Sequence, residues 1–272
     1  MLTGIIVASI FLMADMNSCR SDAFLERDAV RGKRIGLGII TPSGNVVVER
    51  VTTGILASFP EVSAHFTRVT VTGSSDRYPD DYDWQQMLGA SKLLGDSAPH
   101  ALCWNGSRGG GFGFDVDRRL CAQITAATNV PRTTATLAIG AALKGTACRR
   151  IGLVTPYRPL YVAKLVRVFG EASFEVAAEA HADLDDNLGY AALPDEDILS
   201  MARSVAAFGV KAVVTFCTNL PAAHLVRPLE EELGITVFDS TSAAVWAALR
   251  LAHVPTEPGR GWGSLFGREF DH

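Results

Sequence analysis

Short, almost uninterrupted apolar runs alternate along the chain with longer segments in which apolar residues recur every three or four positions. The four clearest apolar runs are Arg34–Ile40, His100–Trp104, Arg150–Thr155 and Lys211–Phe216. A strand of a parallel sheet is buried on both faces, so its sequence is continuously apolar rather than alternating. The pattern therefore predicts four strands of parallel sheet.

The segments that separate these runs have helical spacing. Seven helices are predicted: Val47–Phe59, Tyr82–Leu94, Phe114–Thr128, Tyr161–Gly170, Glu196–Phe208, Ala222–Leu233 and Thr241–Leu251. Strands that alternate with helices in this way are typical of an α/β fold.

The chain also contains an internal repeat. Three pairs of segments match, at offsets between 106 and 116 residues: Lys33–Gly44 with Arg149–Pro159, His100–Arg108 with Lys211–Asn219, and Val130–Leu143 with Ile235–Leu249. We predict two pseudo-symmetric Rossmann-like halves, each a parallel sheet flanked by helices, with the active site in the cleft between them. The first half would span residues 33–145, with a C-terminal tail, 250–272, packing back on it, and the second half would span 146–249.

Composition and charge exclude several classes of protein. The 272 residues are 48% hydrophobic and carry a net charge of −4, so no basic field for nucleic acid is present. Five cysteines, an odd number without a C-x-x-C pair, argue against a disulfide framework or a zinc site and favour a reducing, cytoplasmic location. The six histidines are dispersed, which gives no support for a metal site.

The N-terminus carries an apolar run of 12 residues, Leu2–Met13. It is shorter than the roughly 20 residues that a membrane span needs, and no basic residue precedes Arg20 as a signal peptide would require. We expect residues 1–32 to be an extension produced by an upstream start codon, with the functional protein beginning at Met13, Met16 or later, and we expect no membrane partner.

Two glycine-rich segments, Gly106–Gly113 and Gly140–Thr146, do not fit nucleotide-binding patterns. The first has no register that gives G-x-G-x-x-G, and the second lacks the lysine after its second glycine. We interpret the glycines of the first segment as letting backbone N–H groups approach a carboxylate at the following helix N-terminus.

Small polar residues follow the same two strands in both halves. The ends read Thr41-Pro42-Ser43 and Thr155-Pro156-Tyr157 on one strand, and Gly106-Ser107 and Cys217-Thr218 on the other. Ligands bind outside the carboxyl ends of parallel strands, so these four loops are expected to converge on one cleft. A buried cysteine is ordinarily a small hydrophobe, but this placement makes Cys217 a candidate for chemistry.

In this order and spacing, six segments resemble the aspartate/glutamate racemase superfamily, in the branch that holds maleate cis–trans isomerases and arylmalonate decarboxylases. The resemblance covers Lys33 to about Phe266 and is carried by Gly38–Arg50, Cys103–Gly110, Thr133–Leu143, Gly152–Tyr157, Phe216–Asn219 and Pro258–Phe266. It implies a cofactor-independent enzyme that acts on the carbon beside a carboxylate of a small acid. An oligomer is compatible with this reading.

The resemblance also locates two departures from the family pattern. Racemases and isomerases of the family carry a cysteine in each half, whereas this chain has Cys217 in the second half and Gly106 in the first. A single cysteine resembles the arylmalonate decarboxylases, in which it protonates a carbanion after CO2 leaves. Asn45 instead resembles an isomerase residue that contacts a substrate carboxylate, and Arg108 stands where a small residue is more typical.

We therefore expect a lyase in which Cys217 donates a proton to an enediolate. Ser107, Thr218, Tyr157 and Asn219 would hold the carboxylate, Asn45 and Ser43 would orient the substrate, and Gly106 would leave room for a bulky or departing group. The alternatives are a maleate-type or racemase-type isomerase and a non-catalytic protein that binds small acids.

Gly106→Cys is expected, on this sequence alone, to supply a second acid–base group. Exchange of the α-hydrogen of a chiral α-aryl acid in deuterated water would measure it, and a lack of exchange would count against the geometry of facing halves.

Overall fold

A computed structural model describes residues 34–71 and 81–268. The expected extension, residues 1–32, lies outside the described residues, as do the last four residues of the tail. Within the described ranges, no helix is long and apolar enough to cross a membrane.

Two four-stranded parallel sheets form the framework. The first contains β1 (Ile35–Pro42), β2 (Val62–Val69), β3 (Ala101–Trp104) and β4 (Arg132–Thr134), in the order β2-β1-β3-β4. The second contains β5 (Arg150–Thr155), β6 (Glu175–His181), β7 (Ala212–Thr215) and β8 (Thr236–Asp239), in the order β6-β5-β7-β8. The same order in both sheets confirms the predicted α/β fold.

Helices flank both sheets. They are α1 (Val48–Leu56), α2 (Trp84–Gly95), α3 (Gly109–Phe112), α4 (Phe114–Thr128), α5 (Ala135–Gly145), α6 (Pro159–Glu171), α7 (Asn187–Ala191), α8 (Asp195–Ala206), α9 (Val226–Leu233) and α10 (Ser240–Leu251). Short 3₁₀ helices lie at Ala223–Leu225, just before α9, and after α10 at Glu257–Trp262 and Ser264–Gly267.

The four predicted strands correspond to the two inner strands of each sheet, and the outer strands were missed. The inner strands β3 and β7 are buried at every position, which produces the continuous apolar run. The outer strands β2 and β6 are mostly half-buried or exposed and include polar residues, while β4 and β8 are only 3 and 4 residues long.

Helix α10 joins the two halves. Nine of its residues are buried, because it packs against α5 and against β3 and β4 of the first sheet as well as β8 of its own. The Asn105 amide donates to the carbonyl of Thr241 at 3.4 Å across this contact. Helix α10 belongs to the second half in sequence but covers the first sheet. The division of the chain between residues 145 and 146 therefore stays a prediction, made from the repeat in the sequence.

The tail contacts both halves rather than the first alone. Trp262 packs against Gly54 of α1, while the backbone N–H of Ser264 donates to Glu230 of α9 and Arg268 donates to Thr236 of β8. The expected packing on the first half is thus one part of a wider contact that ties α1 to the second sheet.

Gly110 tests the close contact between α3 and the second half. A Cβ at Gly110 would lie 2.3 Å from the ring of Phe216, the residue before Cys217. Gly110→Ala is therefore expected to lower the free energy of unfolding by about 1–3 kcal/mol through overpacking. Gly89→Ala is the control, since nothing lies within 4 Å of that position in α2, and it should stabilise by about 0.5–1 kcal/mol. Urea denaturation measures both; equal effects would contradict the tight contact.

Candidate active site

A small cavity, partly open to solvent, lies at the carboxyl ends of the inner strands and is lined from both halves. Its lining residues are Pro42, Asn45, Val71, Ser107, Arg108, Tyr157, Tyr161, Asn187, Tyr190, Cys217, Thr218 and Asn219. The loops that follow β1, β3, β5 and β7 therefore meet at one place, as ligand sites in parallel sheets do.

Cys217 follows β7 and is 2% exposed. Burial raises the pKa of its thiol to about 11, although hydrogen bonds from the Tyr157 hydroxyl and the backbone N–H of Asn219 oppose that shift. The Asn219 nitrogen lies 3.4 Å from Sγ. At neutral pH the residue therefore lines the cavity as a protonated thiol rather than as a thiolate.

Tyr157 connects the two halves at the cavity. Its hydroxyl oxygen lies 2.8 Å from Oγ of Ser107, and the same hydroxyl is hydrogen-bonded to the Cys217 thiol. Burial raises the pKa of Tyr157 well above its usual range, so the phenol stays neutral. Its ring is held edge-on by Tyr161 at 4.8 Å and Tyr190 at 5.4 Å.

Asn45 and Thr218 also meet across the cavity. The Asn45 amide nitrogen donates to the Thr218 hydroxyl at 3.3 Å. The Asn45 Oδ1 accepts from the backbone N–H groups of Val47 and Val48, at 2.9 and 2.8 Å, where α1 begins. One side chain thus starts a helix and presents an amide donor to the second half.

Asn219 lines the cavity, but the amide group of its side chain is already hydrogen-bonded to other loops. Its Oδ1 accepts from the backbone N–H of Val46 at 2.9 Å, and its Nδ2 donates to the carbonyls of Asn187 and Gly44. The amide therefore holds three loops together. Because both of its polar atoms bond to the protein, Asn219 positions these loops rather than contacting a ligand through its amide.

Ser43 does not line the cavity. Its side chain is exposed, and its Oγ accepts from the backbone N–H of Val71 at 3.0 Å. The expected direct contact of Ser43 with substrate is wrong for this geometry, because the hydroxyl fixes Val71, which is itself a lining residue.

Gly106 is not a lining residue of the cavity. A Cβ at this position would lie 2.3 Å from the indole ring of Trp104, the last residue of β3. The geometry therefore gives no support to the expectation that Gly106 accommodates a bulky or departing group.

Several lining residues were not identified from the sequence, namely Asn187, Tyr190, Tyr161 and Val71. Asn187 is buried and donates to the carbonyl of Val71 at 3.3 Å. It begins α7, in a segment without a counterpart in the repeat, so symmetry could not point to it. Tyr190 lies one helical turn further, and that i, i+3 spacing is the one available signal.

The charge of the lining favours an anion. Of the described residues around the cavity, Arg108 is the cation and none is an aspartate or glutamate, while Cys217 and Tyr157 are neutral. Hydroxyl and amide donors supply the rest of the polar surface. Within the described ranges, no group of three or more His, Cys, Asp or Glu residues is placed to hold a metal ion.

Comparison with known proteins identifies the family of the chain. The profile of the arylmalonate decarboxylase family matches residues 108–266, more than half of the chain. The chain belongs to the arylmalonate decarboxylase family. A curated relative named maleate isomerase, from Nocardia farcinica (strain IFM 10152), is 27% identical over 237 residues, which are 83% of this chain and 93% of the relative.

Solved structures share the fold of this arylmalonate decarboxylase family member. A maleate cis–trans isomerase variant from Nocardia farcinica with a covalently bound succinylcysteine intermediate matches with a TM-score of 0.74 at 24% identity, over 85% of this chain and 98% of that one. A liganded variant of arylmalonate decarboxylase matches with a TM-score of 0.76 at 18% identity, over 87% of this chain and 99% of that one.

The reactivity of Cys217 tests its protonation state. Since burial raises the pKa of the thiol to about 11, the thiolate fraction, and with it the rate of alkylation by iodoacetamide, should rise about tenfold per pH unit between about pH 7 and 9. Peptide mass mapping separates Cys217 from the other cysteines.

Tyr157→Phe is the matched variant for this measurement. Removing a hydrogen bond that lowers the pKa of the thiol should slow alkylation of Cys217 at every pH in that range. A rate that levels off near pH 8 would mean that Cys217 is already a thiolate there.

Proposed function

We propose that this protein is a cofactor-independent decarboxylase of a small 2-substituted malonic acid, in which Cys217 protonates the enediolate left by CO2. The observation that carries the proposal is a single protonated thiol at the cavity, hydrogen-bonded to Tyr157 and facing a first-half loop that has Gly106 where a second cysteine would stand.

The proposed reaction has two proton-balanced steps. The bond between the α-carbon and one carboxylate breaks, its electron pair passes into the remaining carboxylate to give an enediolate, and CO2 leaves. The α-carbon then takes the proton of the Cys217 thiol, and the thiolate recovers a proton from water. No oxidant, reductant or cofactor enters this balance.

Hydroxyl donors at the cavity suit the developing charge. Ser107, Tyr157 and Thr218 are buried on different loops and present O–H groups that can turn toward a carboxylate oxygen. Removing one donor to such an oxyanion typically costs about 10²–10³ in rate. Because these groups come from both halves, the fold fixes them before substrate arrives.

The protonation state of Cys217 favours this chemistry over nucleophilic attack. A thiolate is the nucleophilic form of cysteine, and a thiol whose pKa is about 11 is a thiolate only in a small fraction of molecules at neutral pH. The same thiol is well suited to donating one proton to one face of a carbanion.

A maleate-type cis–trans isomerase is the second candidate. The observation that favours it is Asn45, whose amide reaches Thr218 at the cavity and whose counterpart in the resemblance contacts a carboxylate. The Nocardia farcinica relative named maleate isomerase supports the same reading.

A substrate panel with CO2 detection separates the candidates. An α-aryl-α-methylmalonate should release CO2, whereas maleate should not yield fumarate. Formation of fumarate without CO2 would replace the decarboxylase by the isomerase, and binding without turnover of any acid would indicate a non-catalytic protein.

Cys217→Ala tests the proton donor. Loss of a positioned general acid typically lowers the rate by about 10²–10⁴, so kcat for CO2 release or for formation of the chiral product should fall by that factor. Cys103→Ala is the control, because Cys103 is a fully buried strand residue beside Ala244 and does not line the cavity. Undiminished turnover in Cys217→Ala would rule out Cys217 as the acid.

A further inference from the structure

The two halves place residues 104–106 and 215–217 in equivalent positions. The backbone N–H of Asn105 donates to Ile40 at 2.9 Å, and that of Phe216 donates to Val154 at 2.8 Å, each at the end of the corresponding inner strand. Trp104 pairs with Thr134, and Thr215 pairs with Asp239. Thr134 and Asp239 are themselves equivalent, since each caps the helix that follows its strand.

At these equivalent positions the two halves distribute large and small side chains differently. Alternate residues of an extended chain point to the same face, so residues 104 and 106 point the same way in the first half, and residues 215 and 217 point the same way at the equivalent place in the second. The second half has a small Thr215 beside the thiol of Cys217, whereas the first has the large Trp104 beside Gly106. A Cβ on Gly106 would lie 2.3, 2.5 and 2.7 Å from three atoms of the Trp104 ring.

The Trp104 ring is held in that place. It is 0% exposed, and its Nε1–H donates to the Tyr82 hydroxyl at 3.1 Å. Tyr82 in turn donates to Asp117 at 2.7 Å, and Asp117 also accepts from the hydroxyl of Thr134. Tyr82 packs edge-on against Trp104 with ring centroids 6.1 Å apart. The ring cannot swing aside without breaking a buried hydrogen bond.

We propose that Trp104 is a specificity-determining residue whose indole occupies the position of a second acid–base side chain beside Gly106 and so confines proton transfer to the Cys217 side of the cleft. The claim about volume stands on the contacts alone. The claim about proton transfer rests on the proposed function.

The proposal changes what Gly106→Cys is expected to do. With Trp104 in place, the new Cβ meets the ring far inside normal contact distance, so the variant should be destabilised and its thiol should not reach the cavity. Trp104→Thr copies the second half and opens the space. Only the double variant, Trp104→Thr with Gly106→Cys, should present a second thiol to a ligand.

Thermal unfolding of the two single variants and the double variant tests the volume claim without substrate. We expect Gly106→Cys to lower the Tm by about 2–8 °C, and the drop in the double variant to be smaller than the sum of the two single drops. Gly140→Cys is the control, since its Cβ would meet Phe114 at 2.6 Å instead, and Trp104→Thr should not rescue it. Additive drops for the Trp104–Gly106 pair would overturn the proposal.

Hydrogen exchange tests the claim about proton transfer. A chiral 2-arylpropanoate is incubated in deuterated water, and deuterium at the α-carbon is followed by NMR. The double variant should exchange at least about 10²-fold faster than the wild type, with loss of optical purity, while both single variants stay near the wild-type rate. Rescue of the Tm without faster exchange, in an enzyme that still releases CO2, would overturn this part.

Failure of the proposed function would be visible separately. If the wild type released no CO2 from any malonate, the Tm comparison would still decide the volume claim. Iodoacetamide labelling of the introduced thiol would decide whether it reaches the cavity: labelling in the double variant alone supports the proposal, and equal labelling in Gly106→Cys overturns it.

Discussion

The burial of the Cys217 thiol against the Tyr157 hydroxyl is the interaction on which the cavity depends. Burial keeps sulfur protonated, and the hydrogen bond with Tyr157 orients it. The same phenol is hydrogen-bonded to Ser107 from the other half. A short row of three side chains thus fixes the distance between the loops after β3, β5 and β7, and any change in how the halves pack would displace the thiol.

Two buried amides help to fasten the loops around this row. Asn219 bonds to backbone groups of the loop after β1 and of Asn187, while Asn45 bonds to backbone N–H groups of its own loop and to the Thr218 hydroxyl. A neutral amide can satisfy buried N–H and C=O groups without the desolvation cost of a charge. The cavity therefore keeps its attraction for an anion, since no fixed carboxylate of the lining competes with a bound acid.

The sequence predicted the strands that are buried on both faces, and it predicted site residues where the two copies of the repeat have matching loops. The inner strands and Cys217 were predicted because continuous apolar runs and matched loop positions both point to them. Asn187 was not, because its segment has no counterpart in the other half and its role arises from contacts with Val71 and Asn219. Ser43 was misassigned because a turn residue at a strand end can face either the cleft or its own loop. Strand alternation in the sequence already puts Trp104 and Gly106 on one face, but only the structure gives the contact on which the role proposed for Trp104 depends.

The carboxyl group beneath the Trp104–Tyr82 contact has a consequence for acid tolerance. Burial raises the pKa of Asp117 to about 6, and burial also raises the pKa of Asp239, which caps α10, to about 6. A carboxyl group that is a weaker acid when folded binds its proton more readily in the native state than in the unfolded chain. The contribution of these two groups to the free energy of unfolding therefore rises as pH falls from about 7 towards about 4, which is opposite to the usual effect of paired surface carboxylates.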